Sequence, residues 1–254
     1  MATQVLSAAK FALLSFRRNP AATFFTVVFP LLFLVIFGFI FGDEVADTGA
    51  RVATFQVPAI LALAVVSATF INLAISSVVK REAGQLKRLR STPVSPLVWV
   101  LGQILASLVI VITMAVLVTL LGRLLFGVAF NFETLGVMAI SLLLGTAAFC
   151  ALGLAVTALI PNVDAAPAVT NAIVFPLYFV SDIFLMTDAD SFIGRVGDFF
   201  PIKPLVEALQ PSYDPFLDGI EFPLAEWAVI AIWGVVGIAL ASRLFRWMPQ
   251  RDRV

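Results

Sequence analysis

Apolar residues gather along the chain in six long runs: Thr23 to Phe41, Phe55 to Val79, Leu97 to Leu121, Thr134 to Ile160, Ala166 to Met186 and Leu224 to Trp247. A hydrocarbon core about 30 Å thick is crossed by roughly 20 helical residues rising about 1.5 Å each, and every run is near or above that length. The runs are apolar on all faces and do not alternate, which predicts helices and excludes barrel strands. An all-α membrane protein with six transmembrane helices is therefore expected. Ahead of the first span, residues 1–22 predict an amphipathic interfacial helix: Val5, Leu6, Ala9, Leu13 and Phe16 recur at helical spacing, with Lys10, Arg17 and Arg18 off that stripe. The polar stretch at 187–223 is too long for a bare loop and carries apolar residues at helical spacing, broken by Pro201 and Pro204. Short interfacial or re-entrant helices are expected there. Residues 248–254 form a short tail.

Composition agrees with lipid as the main solvent: 61% of residues are hydrophobic and 13% charged, with a mean hydropathy of +1.05. Net charge is zero, but the charges are segregated. Lys10, Arg17, Arg18, Lys80, Arg81, Lys87, Arg88, Arg90, Arg243, Arg246, Arg251 and Arg253 fall on one side of the six-span arrangement, and only Arg51, Arg123, Arg195 and Lys203 on the other. Lysine and arginine near helix ends resist translocation, so both termini are expected to be cytoplasmic, in a bacterial inner membrane. Asp43, Glu44, Asp47, Asp188, Asp190, Asp198, Asp214, Asp218 and Glu221 fall mostly outside, and Trp227 and Trp247 would mark the two interfaces of the last span.

The chain has no histidine and one cysteine, Cys150, inside an apolar run, which excludes a His/Cys metal centre, a Cys-His nucleophile and an intrachain disulfide. It also lacks a GxxxxGK[ST] phosphate loop, so any ATP that drives it must bind another chain. Asn72 and Asn171 lie within spans, where an unsatisfied amide is costly. Interhelical hydrogen bonding and cavity lining both fit them. Pro30, Pro58, Pro167 and Pro176 are expected to kink their helices or sit near the ends. Ala147, Ala151 and Ala155 form a small-residue stripe on the fourth span, as do Gly237 and Ala241 on the sixth.

The loop Lys80 to Pro96, KREAGQLKRLRSTPVSP, carries the most information. As a helix it would align Ala83, Leu86 and Leu89 on one stripe, with basic residues spread over the remainder. Pro93 disfavours helix at Thr92, and Ser95 with Pro96 predicts an N-cap and first position for the third span. A topology-fixing basic loop and a protein-docking helix both fit these features. The run from Glu82 through Gly84, Leu86, Leu89, Thr92, Pro93 and Ser95 resembles the ER-x-x-G-x-L-x-x-L-x-x-T-P-x-S segment of ABC-2 type permeases, most closely the daunorubicin and antibiotic-export branch.

The resemblance extends over nearly the whole chain and implies an ABC-2, type V exporter-like fold in which this loop is the coupling helix of a separate ATPase. It carries Glu82, Gly84, Leu86, Arg88 and Leu89 over as contact and hinge positions. It implies no cofactor on this chain, ATP and Mg on two copies of the ATPase, a second permease, identical or homologous, and a hydrophobic or amphipathic substrate; nucleic acid has no place in it. One departure stands out. Family members often close the fifth helix with Ser-Gly, whereas this chain has Ser181-Asp182. Asp182 either reaches interfacial water or faces a central cavity, where it would join Asn72, Asn171 and Pro176 in a substrate pathway. The rival readings are an ion-gradient-driven secondary transporter, for which the spans hold no midplane carboxylate cluster, and a non-transporting membrane scaffold.

Overall fold

A computed structural model describes residues 1–42, 44, 49, 51–91, 95–184, 191–217 and 219–245. Asp43, Asp47, Thr92, Pro93, Asp188, Asp190, Asp218, Arg246, Trp247, Arg251 and Arg253 lie outside them, as does the side chain of Arg90. The regular elements among the described residues are helices, with no β-strand. Helix α1 covers Ala2–Arg17. Among the described residues five helices are long and apolar enough to cross a membrane: α2 (Pro20–Phe41), α3 (Val52–Glu82), α5 (Pro96–Phe126), α6 (Phe132–Val156) and α10 (Leu224–Leu244). Between them lie α4 (Gln85–Arg90), α7 (Ala165–Phe179), α8 (Phe192–Phe199) and α9 (Ile202–Leu209).

Helix α7 is apolar but has only 15 residues, about 22 Å at 1.5 Å per residue, well short of the expected 166–186 run. It stops at Val180, and the chain then turns through Asp182 with φ +57°. Helix α2 starts earlier than the 22/23 boundary drawn from hydropathy. Asn19 accepts a hydrogen bond from the Ala22 N–H at 3.1 Å, and Pro20 takes the first helical position, where its missing N–H costs nothing.

Helix α3 is the central post, with 78% of its most apolar window buried, against 22% for α2 and 17% for α10. It packs against α2, α5, α6 and α9, and one apolar core joins Leu61, Val65, Val111, Met114, Phe149, Leu205 and Leu209. A turn of π-helix at Ser67–Ile71 interrupts α3, and Gly153 of α6 lies so close to it that a Cβ would stand 2.9 Å from the Phe70 carbonyl oxygen. This break falls well after Pro58, which α3 takes into its interior. In α2 a second π-turn, Phe24–Val28, precedes Pro30, which has no N–H to return to the preceding turn.

The small-residue stripes of α6 and α10 meet each other. A Cβ at Gly237 would lie 2.8 Å from Leu152 N, and one at Gly234 would lie 3.3 Å from the Ala148 Cβ. Ala148 and Ala151 make this seam, so of the stripe expected on the fourth span Ala151 lies in it, Ala155 is buried and Ala147 points outward. Helix α1 buries Ala9 and Ala12 against Ala106 of α5 and leaves Leu6, Phe11 and Leu14 exposed.

Candidate functional site

The basic loop is built from the end of α3 outward. Arg81 is 1% exposed. Its guanidinium donates from Nη1 to the Thr157 carbonyl at 2.9 Å, from Nη2 to the Ile160 carbonyl at 2.7 Å, and from Nε to Glu82 Oε1 at 2.8 Å. Thr157 and Ile160 belong to the turn that closes α6, where unpaired carbonyls and the negative end of the helix dipole favour a cation. One side chain thus fastens α3 to the α6–α7 turn. Glu82, one of the expected contact and hinge positions, is the counter-charge of Arg81.

After Glu82 the backbone turns through Gly84 at φ +69°, ψ 8°, a left-handed conformation natural to glycine. Helix α4 follows, so residues 80–91 are an extension of α3, a hinge and one short helix, not a continuous helix. The single stripe expected for Ala83, Leu86 and Leu89 is divided by this turn. Leu86, 2% exposed, packs with Leu73, Trp99, Cys150 and Leu154, and Leu89 packs beside them, while Ala83 is exposed. Leu86 therefore anchors α4 to the bundle. The face left for a partner is Ala83, Gln85, Lys87 and Arg88. Beyond the loop, Ser95 caps α5, accepting from the Leu97 N–H at 3.3 Å with Pro96 in the first turn.

The opposite end of the bundle carries a second charged cluster. Lys203 of α9 has only 4% of its side chain exposed and reaches three carboxylates: Asp198 at 2.6 Å, Asp182 at 3.8 Å and Glu207 at 3.8 Å. It also donates to the Gly194 carbonyl at 3.2 Å. Burial alone would lower the Lys203 pKa, but the hydrogen bond to Asp198 and the charges of Asp182 and Glu207 leave it above its ordinary value. Burial pushes Glu207 up to about 7; Lys203 opposes that shift, and Asp198, Glu226 and Asp182 reinforce it.

The positive φ of Asp182 supplies a physical reason for glycine at that position, and aspartate is one of the few residues that tolerate it. Helix α8 approaches closely here, since a Cβ at Gly197 would overlap the Val180 carbonyl. Asp182 thus shares an ion-pair cluster with Lys203 and keeps 23% of its side chain exposed. The other pathway candidates are dispersed. Asn72 lines a cavity at the basic end with Lys80 and Gln103, whereas on α7 Asn171 is half-buried and Pro176 exposed.

Three features escaped the sequence reading: the Arg81 grip, the Lys203 cluster and the Asn72–Lys80 cavity. The Arg81 grip joins residues far apart in the chain, with no local pattern to reveal it; in the Lys203 cluster only Asp182 is distant, and the i,i+4 spacing of Lys203 and Glu207 was a signal in the sequence. The third had one signal, a basic residue continuing the helical phase of a span. No match was found among curated proteins. The family model described as ABC-2 type transporter matches residues 3–213, from α1 through the Lys203 cluster to the turn after α9, and the chain belongs to that family.

Proposed function

We propose that this multi-pass membrane domain of an ABC transporter is the permease subunit of an ATP-driven exporter that moves amphipathic or hydrophobic molecules, such as drugs, antibiotics or lipids, out of the cytoplasm or the inner leaflet. Membership of the family supports the permease role and an ABC ATPase as partner. The observation that carries the coupling is the grip of Arg81. A push on the exposed face of Gln85, Lys87 and Arg88 reaches α3 through the Gly84 turn and reaches the α6–α7 turn through the guanidinium. Helices α3 and α5, of 31 residues each, are about 46 Å long and overshoot a hydrocarbon core of about 30 Å, so α3 delivers its basic end to water.

In this reading α7 completes six crossings, with thinning of the bilayer or flanking residues making up its short length. The basic end and both termini are cytoplasmic, α8 and α9 form the outer re-entrant segment, and the membrane is the bacterial inner membrane. Two ATPase copies, carrying ATP and Mg, dock on two such permeases, identical or homologous, and their closure alternates access to the pathway between them. No covalent chemistry falls to the permease.

Cross-linking tests the docking face. Cysteines replacing Gln85 or Arg88 should cross-link to the co-expressed ATPase, and one replacing Leu86 should not. Linkage through Leu86, or none from Gln85 and Arg88 while the two proteins co-purify, would refute the assignment.

A further inference from the structure

On one side of the seam between α1 and α5 lies a polar cavity of about 40 Å³, bounded also by the start of α2 and the basic-end half of α3. It has room for about three waters, enough for three oxygens of a tetrahedral anion whose fourth points out through the rim, and too little for a sugar or a drug. Lys80 lines it at 7% exposure, and its ammonium donates to Gln103 Oε1 at 3.3 Å. Asn72, Ser76 and buried Ser107 add polar groups, apolar side chains such as Phe16, Leu73 and Ile110 make up the rest of the wall, and Ser15 and Asn19, both exposed, form the rim. No aspartate or glutamate lines the cavity among the described residues. A buried ammonium that shares a part-polar chamber with amides and hydroxyls, and with no carboxylate among the described lining residues, is suited to receive an anion.

We propose that this cavity is a binding site for a phosphate-class oxyanion, with Lys80 supplying the charge and Gln103, Asn72 and Ser76 the surrounding hydrogen bonds. The rim lies at the end of α1, a helix with Leu6, Phe11 and Leu14 exposed and Lys10 and Arg17 beside them, as at the headgroup level of a bilayer. The phosphate of a phospholipid can therefore enter from the membrane, and free phosphate from water. The site belongs to a single permease chain and needs neither the ATPase nor a substrate, so its failure would leave the proposed transport function standing.

The test is amine acetylation of the full-length permease in nonionic detergent, with the rate at Lys80 followed by peptide mass spectrometry and Lys10 as the exposed reference. The arms are added phosphatidylglycerol, phosphate-free monoolein and inorganic phosphate. Phosphatidylglycerol should slow modification of Lys80 at least threefold relative to Lys10, and monoolein should not. Protection by phosphatidylglycerol alone assigns a lipid headgroup, whereas protection by inorganic phosphate assigns the free oxyanion. Equal rates in all three arms overturn the proposal. As a second measurement, the rise in melting temperature produced by the protecting anion should disappear in Lys80→Gln and in Ser76→Leu, which fills the cavity and keeps the charge. A rise unchanged in both variants also overturns it.

Discussion

Asp182 was conspicuous in the sequence as a carboxylate where glycine is common, but its meaning depended on a dihedral angle and on a lysine 21 positions away. A left-handed backbone costs a non-glycine residue about 1–2 kcal/mol, and the charge of Lys203 offsets part of that here. Asp182→Gly should therefore melt within about 1 kcal/mol of the wild type, while Asp182→Ala, with the backbone cost and no charge, should melt lowest. Thermal unfolding in detergent gives the order, and alanine above glycine would refute it. Glu207 gives a pH dependence. With its native pKa near 7 and its ordinary value 4.5, the folded state holds a proton that the unfolded chain has released between those values. Stability contributed by Glu207 is thus complete below about pH 4.5 and is lost as pH rises to about 7. Glu207→Gln should flatten the fall in melting temperature between pH 5 and pH 7.5; an unchanged slope would place the titration elsewhere.

Among the elements, long apolar runs were legible because a helix in lipid must be apolar on most faces whatever its neighbours are. What hydropathy could not resolve was where helices stop, as at Val180, or loosen, as at Ser67–Ile71, since these follow from turn geometry and from packing by a distant glycine. The seam of α6 and α10 turns the Gly237 signal into contact: a side chain there meets Leu152 and Ala151 backbone atoms that cannot move aside. Gly237→Leu should cost about 1–3 kcal/mol or more in stability by overpacking. Gly136→Ala, in the same α6 but with nothing within 4 Å of the added Cβ, should be neutral or gain up to about 1 kcal/mol. Melting temperatures of the two variants check the pair, and equal losses would contradict the seam.

Taken whole, the molecule is a bundle around α3 with a charged fastening at each end. At one, Arg81 fastens α3 to the turn after α6; at the other, Lys203 of α9 gathers Asp182, Asp198 of α8 and Glu207. The loop between α3 and α5 stood out in the sequence through its basic residues and its resemblance to the family segment, and it is where the proposed docking is placed. Its internal division did not stand out, because Leu86 and Arg88 look equally available until the bundle behind them is known.

The central claim is that ATPase motion enters α3 and the α6–α7 turn together through Arg81. With the ATPase co-reconstituted, a fluorophore on a cysteine replacing exposed Phe192 at the far end of the bundle reports the response to ATP and vanadate. The wild type should show an ATP-dependent change in emission. Arg81→Gln and Arg81→Lys, which lose the fork to Thr157 and Ile160, should keep the complex and its ATP hydrolysis and lose most of that change. An emission change of full size in both variants would contradict the account.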